Sequence, residues 1–133
     1  MESQLPQVVR TYYDSGELQW EHFEINGKKE GPHIGYYING NIKAICNYVN
    51  GKVNGELKYY YINGQLEHIS YYNNGIKNGE WRHYYSNGNI KYCCNYVNNE
   101  FDGEYKQHDE TGKLIKITDY LNGVYKGTRI IEL

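Results

Sequence analysis

Glycine returns at two fixed phases of this chain. Gly16, Gly40, Gly64, Gly88 and Gly112 fall 24 residues apart, and so do Gly31, Gly55, Gly79, Gly103 and Gly127. A period of that length marks an array of like supersecondary units stacked on one another. Five units run over 6–29, 30–53, 54–77, 78–101 and 102–125, with the first strand of a sixth at 126–133. The third and fourth, NGELKYYYINGQLEHISYYNNGIK and NGEWRHYYSNGNIKYCCNYVNNEF, are identical at nine of 24 positions. A tail at 1–5 precedes this single repeat domain, 6–133.

Each unit carries two turn signals, so two elements of about six to eight residues are all that fit, which suits strands better than helices. The first turn holds Asn39-Gly40, Asn63-Gly64 or Asn87-Gly88, with Ser15-Gly16 and Thr111-Gly112 as weaker versions. It predicts a tight primed hairpin with both residues at positive φ. The second holds Asn26-Gly27, Asn50-Gly51, Asn74-Gly75 and Asn122-Gly123. It predicts a longer hairpin of four or five loop residues that closes on the second glycine series. Composition agrees with strands: there are 17 tyrosines, and Ala44 is the only alanine. The expected fold is all-β, a single-layer antiparallel β-meander of about ten or eleven short strands. At about 4.8 Å per strand such a ribbon is on the order of 50 Å long.

Residues one period apart form columns along the ribbon. Glu56, Glu80 and Glu104, beside Arg10, Lys58, Arg82 and Lys106, read as a solvated face of weak ion pairs. The opposite face has Val9, His33, Leu57, Trp81 and Tyr105 in one column and Tyr13, Tyr37, Tyr61 and Tyr85 in another, which Asp109 breaks. On the second strand Leu18, Ile42, Leu66, Ile90 and Leu114 form an aliphatic column, with Tyr48, Tyr72, Tyr96 and Tyr120 at its end. These columns suit nearest-neighbour packing between repeats, and rings half covered in a single sheet also suit binding.

Enzyme chemistry finds no foothold in the pattern. His22, His33, His68, His83 and His108 occupy five phases and five strands, so no convergent metal set is expected. No phosphate loop, nucleophile elbow or His-Glu-x-x-His is present. The glutamate column repeats every two strands, about 9.6 Å, each member with a basic neighbour. No cofactor is expected. Cys46 and Cys94 share a phase but lie roughly 19 Å apart, and adjacent Cys93 and Cys94 point to opposite faces. Three unpaired cysteines, no secretory leader in MESQLPQVVR and no long apolar run point to a reducing, cytoplasmic setting. The net charge of −2 argues against nucleic acid and against general attraction to anionic membranes.

The pattern Tyr-Tyr-x-Asn-Gly-x-Leu followed by Tyr-x-Asn-Gly resembles the MORN repeat, in the variant form of bacterial antitoxin-like proteins and some large DNA viruses. Tyr60, Asn63, Gly64, Leu66, Tyr72, Asn74, Gly75, Gly79 and Glu80 carry the resemblance, which spans about 120 of the 133 residues. The chain departs from it at Asn98-Asn99, Pro32 and Gln107-His108. The resemblance implies a non-enzymatic scaffold, a curved meander for protein contacts, with lipid contact in some members.

The expected function is therefore protein–protein scaffolding through an aromatic groove centred on Tyr37, Leu57, Tyr59, Tyr61, Trp81, His83 and Tyr85. Two readings stand beside it: an antitoxin or immunity protein with a specific toxin partner, and recruitment to a membrane surface; Lys28, Lys29 and Lys52 read equally as a local basic strip and as turn lysines. An open meander also leaves an unpaired edge at each end, so a homodimer through the terminal strands, TRIIEL among them, is a further expectation.

Overall fold

The computed structural model describes residues 5–131. The expected tail thus lies outside the described residues except for Leu5, as do the last two residues of the sixth unit. The described residues form one antiparallel sheet without helices. Its strands are β1 (Gln7–Tyr12), β2 (Leu18–Ile25), β3 (Lys28–Tyr36), β4 (Ile42–Val49), β5 (Lys52–Tyr60), β6 (Leu66–Asn73) and β7 (Ile76–Lys77). They continue as β8 (Gly79–Tyr84), β9 (Ile90–Val97), β10 (Glu100–Phe101), β11 (Gly103–His108), β12 (Leu114–Leu121) and β13 (Val124–Ile130). Sequence neighbours pair throughout, so this is a meander. β7 and β8 are one strand interrupted at Asn78, and β10 and β11 one interrupted at Asp102, which leaves eleven strands side by side.

The two turns exchange the lengths that their sequences suggest. Asn50-Gly51 alone joins β4 to β5, and both residues have positive φ, 50° and 78°. That is the two-residue primed hairpin. Its fourth copy uses Asn98 and Asn99 at φ 50° and 70°, because asparagine tolerates the left-handed region. The first turn is the longer one. Tyr37 accepts from the Gly40 N–H at 2.9 Å and donates to the Asn41 carbonyl at 2.8 Å, and only Gly40 is left-handed. Asn39 keeps negative φ because its side chain accepts the Asn41 N–H at 3.0 Å, favouring a type I turn with a glycine bulge.

The second glycine series lies within the strands as bulges. Cys46 faces Leu57 and Tyr48 faces Val53, so Asn54, Gly55 and Glu56 together oppose Asn47. Gly55 takes φ 90° there. A second bulge follows each first turn, where Gln19, Lys43, Glu67, Lys91 and Ile115 have no partner on the preceding strand.

Cross-strand register sorts the faces. Arg10, Glu21, Ile34, Ile45, Lys58, Ile69, Arg82, Cys93, Lys106, Ile117 and Arg129 pair in one row across the ribbon. Ion pairs lace this charged face, including Arg10 with Glu21 at 2.7 Å, Lys58 with Glu56 at 3.2 Å and Arg129 with Glu104 at 2.9 Å. The row on the opposite, aromatic face runs Thr11, Trp20, Gly35, Ala44, Tyr59, His68, His83, Tyr92, Gln107, Lys116 and Ile130. Of the buried side chains, Ala44, His68, Ser70, Cys94 and Thr118 belong to the aromatic face and Ile117 to the charged one. With one layer, burial comes from side chains lying over their lateral neighbours.

Hydrogen bonds tie successive repeats at both margins. The hydroxyls of Tyr13, Tyr37, Tyr61 and Tyr85 donate to the carbonyls of Tyr36, Tyr60, Tyr84 and His108, at 2.6, 2.6, 2.5 and 2.8 Å. At the other margin the N–H groups of Gly51, Gly75, Asn99 and Gly123 donate back to Lys29, Val53, Lys77 and Phe101, at 2.8–2.9 Å.

Candidate functional site

The aromatic face carries a ladder of rings. Over its first strands Trp20 packs on His33, which stacks on His22 and touches Tyr48, with centroids 5.0–5.6 Å apart. A longer stretch begins at Tyr59 and passes through His68 to Trp81, Tyr96, Phe101 and Tyr120. A branch runs from His68 through His83 and Tyr92 to Tyr105. Ring contacts of this kind add about 0.5–1.5 kcal/mol each beyond area burial.

The structure places the seven sequence-derived site residues in two groups. Leu57, Tyr59, Trp81 and His83 stand together on β5 and β8, on the aromatic face. Tyr59, Trp81 and His83 line an open pocket of about 300 Å³ with Glu67, His68 and Tyr92. Leu57 and Tyr59 wall a smaller cavity of about 120 Å³ with Trp20, His33, Ala44 and Tyr48. Tyr37, Tyr61 and Tyr85 stand in the first turns, and their hydroxyls are held by the inter-repeat bonds described above. Trp81 is likewise engaged: it meets His68 at 4.5 Å and Tyr96 at 5.0 Å, and the Lys77 ammonium lies 4.5 Å over its ring. Tyr59 is the member with the most free surface, 42% exposed.

Glu67, His68 and Tyr92 enter the pocket without having been singled out in the sequence. All three sit on second strands, where the columns looked purely structural. The hairpin register that sets Tyr59 opposite His68 and His83 opposite Tyr92 is the signal that finds them. The same register joins His22 to His33 and His68 to His83 although their repeat phases differ.

Electrostatically the pocket is a neutral wall with one carboxylate. Burial, chiefly, pushes His68 down to about 4, with His83 and Lys77 adding to it. His83 is also lowered, again mainly by burial, against the opposing pull of Glu67, whose Oε1 lies 4.0 Å from its Nε2. Burial, chiefly, raises the thiol of Cys94 to about 12, which disfavours its thiolate form. Among the described residues no group of three or more His, Cys, Asp or Glu side chains is placed to hold a metal ion. The grooves of the charged face, such as one of about 370 Å³ over Ile45, Asn54, Glu56 and Lys58, are shallow dips at the glycine bulges.

No curated protein matches the chain. Among solved structures it is similar to the crystal structure of accessory secretory protein 1,2 and 3 in Streptococcus pneumoniae, at 12% identity and a TM-score of 0.42. That match takes in 81% of this chain and 22% of the other, so the chain spans under a quarter of that protein's length. The sequence model of the MORN repeat variant matches four consecutive segments, 29–50, 53–74, 77–98 and 101–122. These segments carry β3 to β12, the whole middle of the sheet, and the chain therefore belongs to the MORN repeat variant family.

Proposed function

We propose that this protein is a non-enzymatic scaffold that binds a protein partner on the aromatic face of its sheet. One observation carries the reading: that face presents a lateral run of rings with nothing packed over it among the described residues, and its centre is the open pocket at Tyr59. Exposed aromatic surface of this kind is enriched where proteins meet. The burial of the Cys94 thiol and of His68, and the absence of a metal-holding cluster among the described residues, support binding over catalysis.

Adjacent residues allow a sharp test, since Tyr59 and Lys58 point to opposite faces. A photo-crosslinking residue is placed at each position in turn and irradiated in extract of the host cells. A discrete protein adduct is expected from position 59 and none from 58. Equal adducts from both, or a position-59 adduct containing only a second copy of this chain, would overturn the reading. Pelleting of the unmodified protein with anionic vesicles, without any position-59 adduct, would replace it with membrane recruitment.

A further inference from the structure

The five copies of one bulge differ at a single informative place. The unpaired residue after each first turn is Gln19, Lys43, Glu67, Lys91 and Ile115. In the second repeat the Lys43 ammonium lies 5.7 Å over the ring of Tyr37, and in the fourth the Lys91 ammonium lies 5.5 Å over Tyr85. Each of these repeats supplies its own cation to its own tyrosine. The third repeat keeps the tyrosine, Tyr61, and replaces the lysine by Glu67.

That substitution leaves a carboxylate among aromatic faces at the centre of the array. Glu67 is one-third exposed, and among the described residues its one ionic contact is His83 at 4.0 Å. The lysines nearby are engaged on their own rings: Lys43 on Tyr37, Lys91 on Tyr85, and Lys77 between Trp81 and Tyr96 at 4.5 and 5.1 Å. A planar cation entering the pocket would meet a carboxylate at one side and ring faces at the others. Guanidinium suits both, because it pairs with a carboxylate in a fixed plane and stacks on aromatic rings.

We propose that the pocket formed by Glu67 with Tyr59, His68, Trp81, His83 and Tyr92 is a specificity site for an arginine side chain of the partner, which supplies from outside the cation that the flanking repeats carry at the equivalent bulge. The inference rests on the partner-binding reading of this face and adds to it the chemistry that the partner must carry. Glu67→Lys would then remove the carboxylate and put a like charge beside the pocket, converting the third repeat to the pattern of the second and fourth.

The test is a nuclear magnetic resonance titration of the full chain with arginine amide, and with citrulline amide as the uncharged isostere, at constant ionic strength. The Trp81 indole N–H, assigned with a Trp81→Phe variant, reports on the pocket, and that of Trp20 is the control. A saturable shift at Trp81 is expected with arginine amide only. It should need roughly tenfold more ligand in Glu67→Gln and vanish in Glu67→Lys, whose thermal midpoint should match or exceed that of the parent. An equal response to citrulline amide, an unchanged response in Glu67→Lys, a response centred on Trp20, or none at all would each overturn the proposal. The two readings fail separately: a position-59 adduct with no arginine response would keep the binding face and remove the cation, whereas an arginine response with no adduct would do the reverse.

Discussion

The ring ladder is built differently on the two sides of Ala44. On the β1–β4 side a tryptophan lies flat over a glycine: a Cβ on Gly35 would come within 2.7 Å of the Trp20 ring. Beyond Ala44, from Tyr59 to Tyr120, rings lean on rings across six side-by-side strands, and Trp81 is the hub. The short stretch is held by close approach and the long one by continuity. Between them the aromatic row is broken by Ala44, beside the cavity of about 120 Å³. Identical backbone repeats therefore support two packing solutions, which respond to different damage.

Removing the hub should be the most costly change. Trp81→Ala should destabilise by about 3–4 kcal/mol in chemical denaturation, whereas the equivalent position of the first repeat, Val9→Ala, should cost about 1 kcal/mol. Similar losses at the two would erase the comparison. Adding one methyl on the other side is next: Gly35→Ala should cost about 2 kcal/mol, since Trp20 must leave its seat, and Trp20→Leu in the same chain should recover part of that loss.

Acid probes both sides together. His33 and His68 are each pushed down to about 4, first by burial, so the folded state binds fewer protons than the unfolded one below pH 6.5. Stability should be full above about pH 6.5 and fall progressively towards pH 4, by about 2 kcal/mol for His68, which is 6% exposed. His68→Leu should flatten the part of that slope that comes from the long stretch, and an unchanged slope would mean that the ring is not buried in solution. The smallest effect is expected from Tyr61→Phe, about 1 kcal/mol, since it removes only the hydroxyl that donates to the Tyr84 carbonyl.

Much of this was legible in the chain. The glycine period marked two strands per repeat, and its columns separated charged from aromatic faces, because side chains alternate along a strand. Columns compare like with like, however, and so miss what lies opposite. His68 beside His83 follows from hairpin register, which depends on turn length, and the two turn lengths were interchanged because Asn-Gly serves both turn types. Glu67 was hidden for a related reason. It occupies a bulge, where alternation fails, so a residue that counting assigns to the charged face stands instead beside His83. Tyr37, Tyr61 and Tyr85 looked like free surface because their sequence period does not show that each hydroxyl has a carbonyl waiting in the next unit.

Those tyrosine hydroxyls point forward along the chain while the second-turn amides point back, so the array has a sense as well as a length. Every interior unit offers the same donor ahead and the same donor behind, and a 24-residue insertion between two of them would find both connections already made. The forward series ends where Asp109 replaces tyrosine and turns its oxygen inward to the N–H groups of Thr111 and Lys113, at 2.9 and 3.1 Å. Among the described residues the forward series therefore runs from Tyr13 to Tyr85, and within it the units are interchangeable connectors: each presents its neighbours with the same two bonds whatever its other side chains.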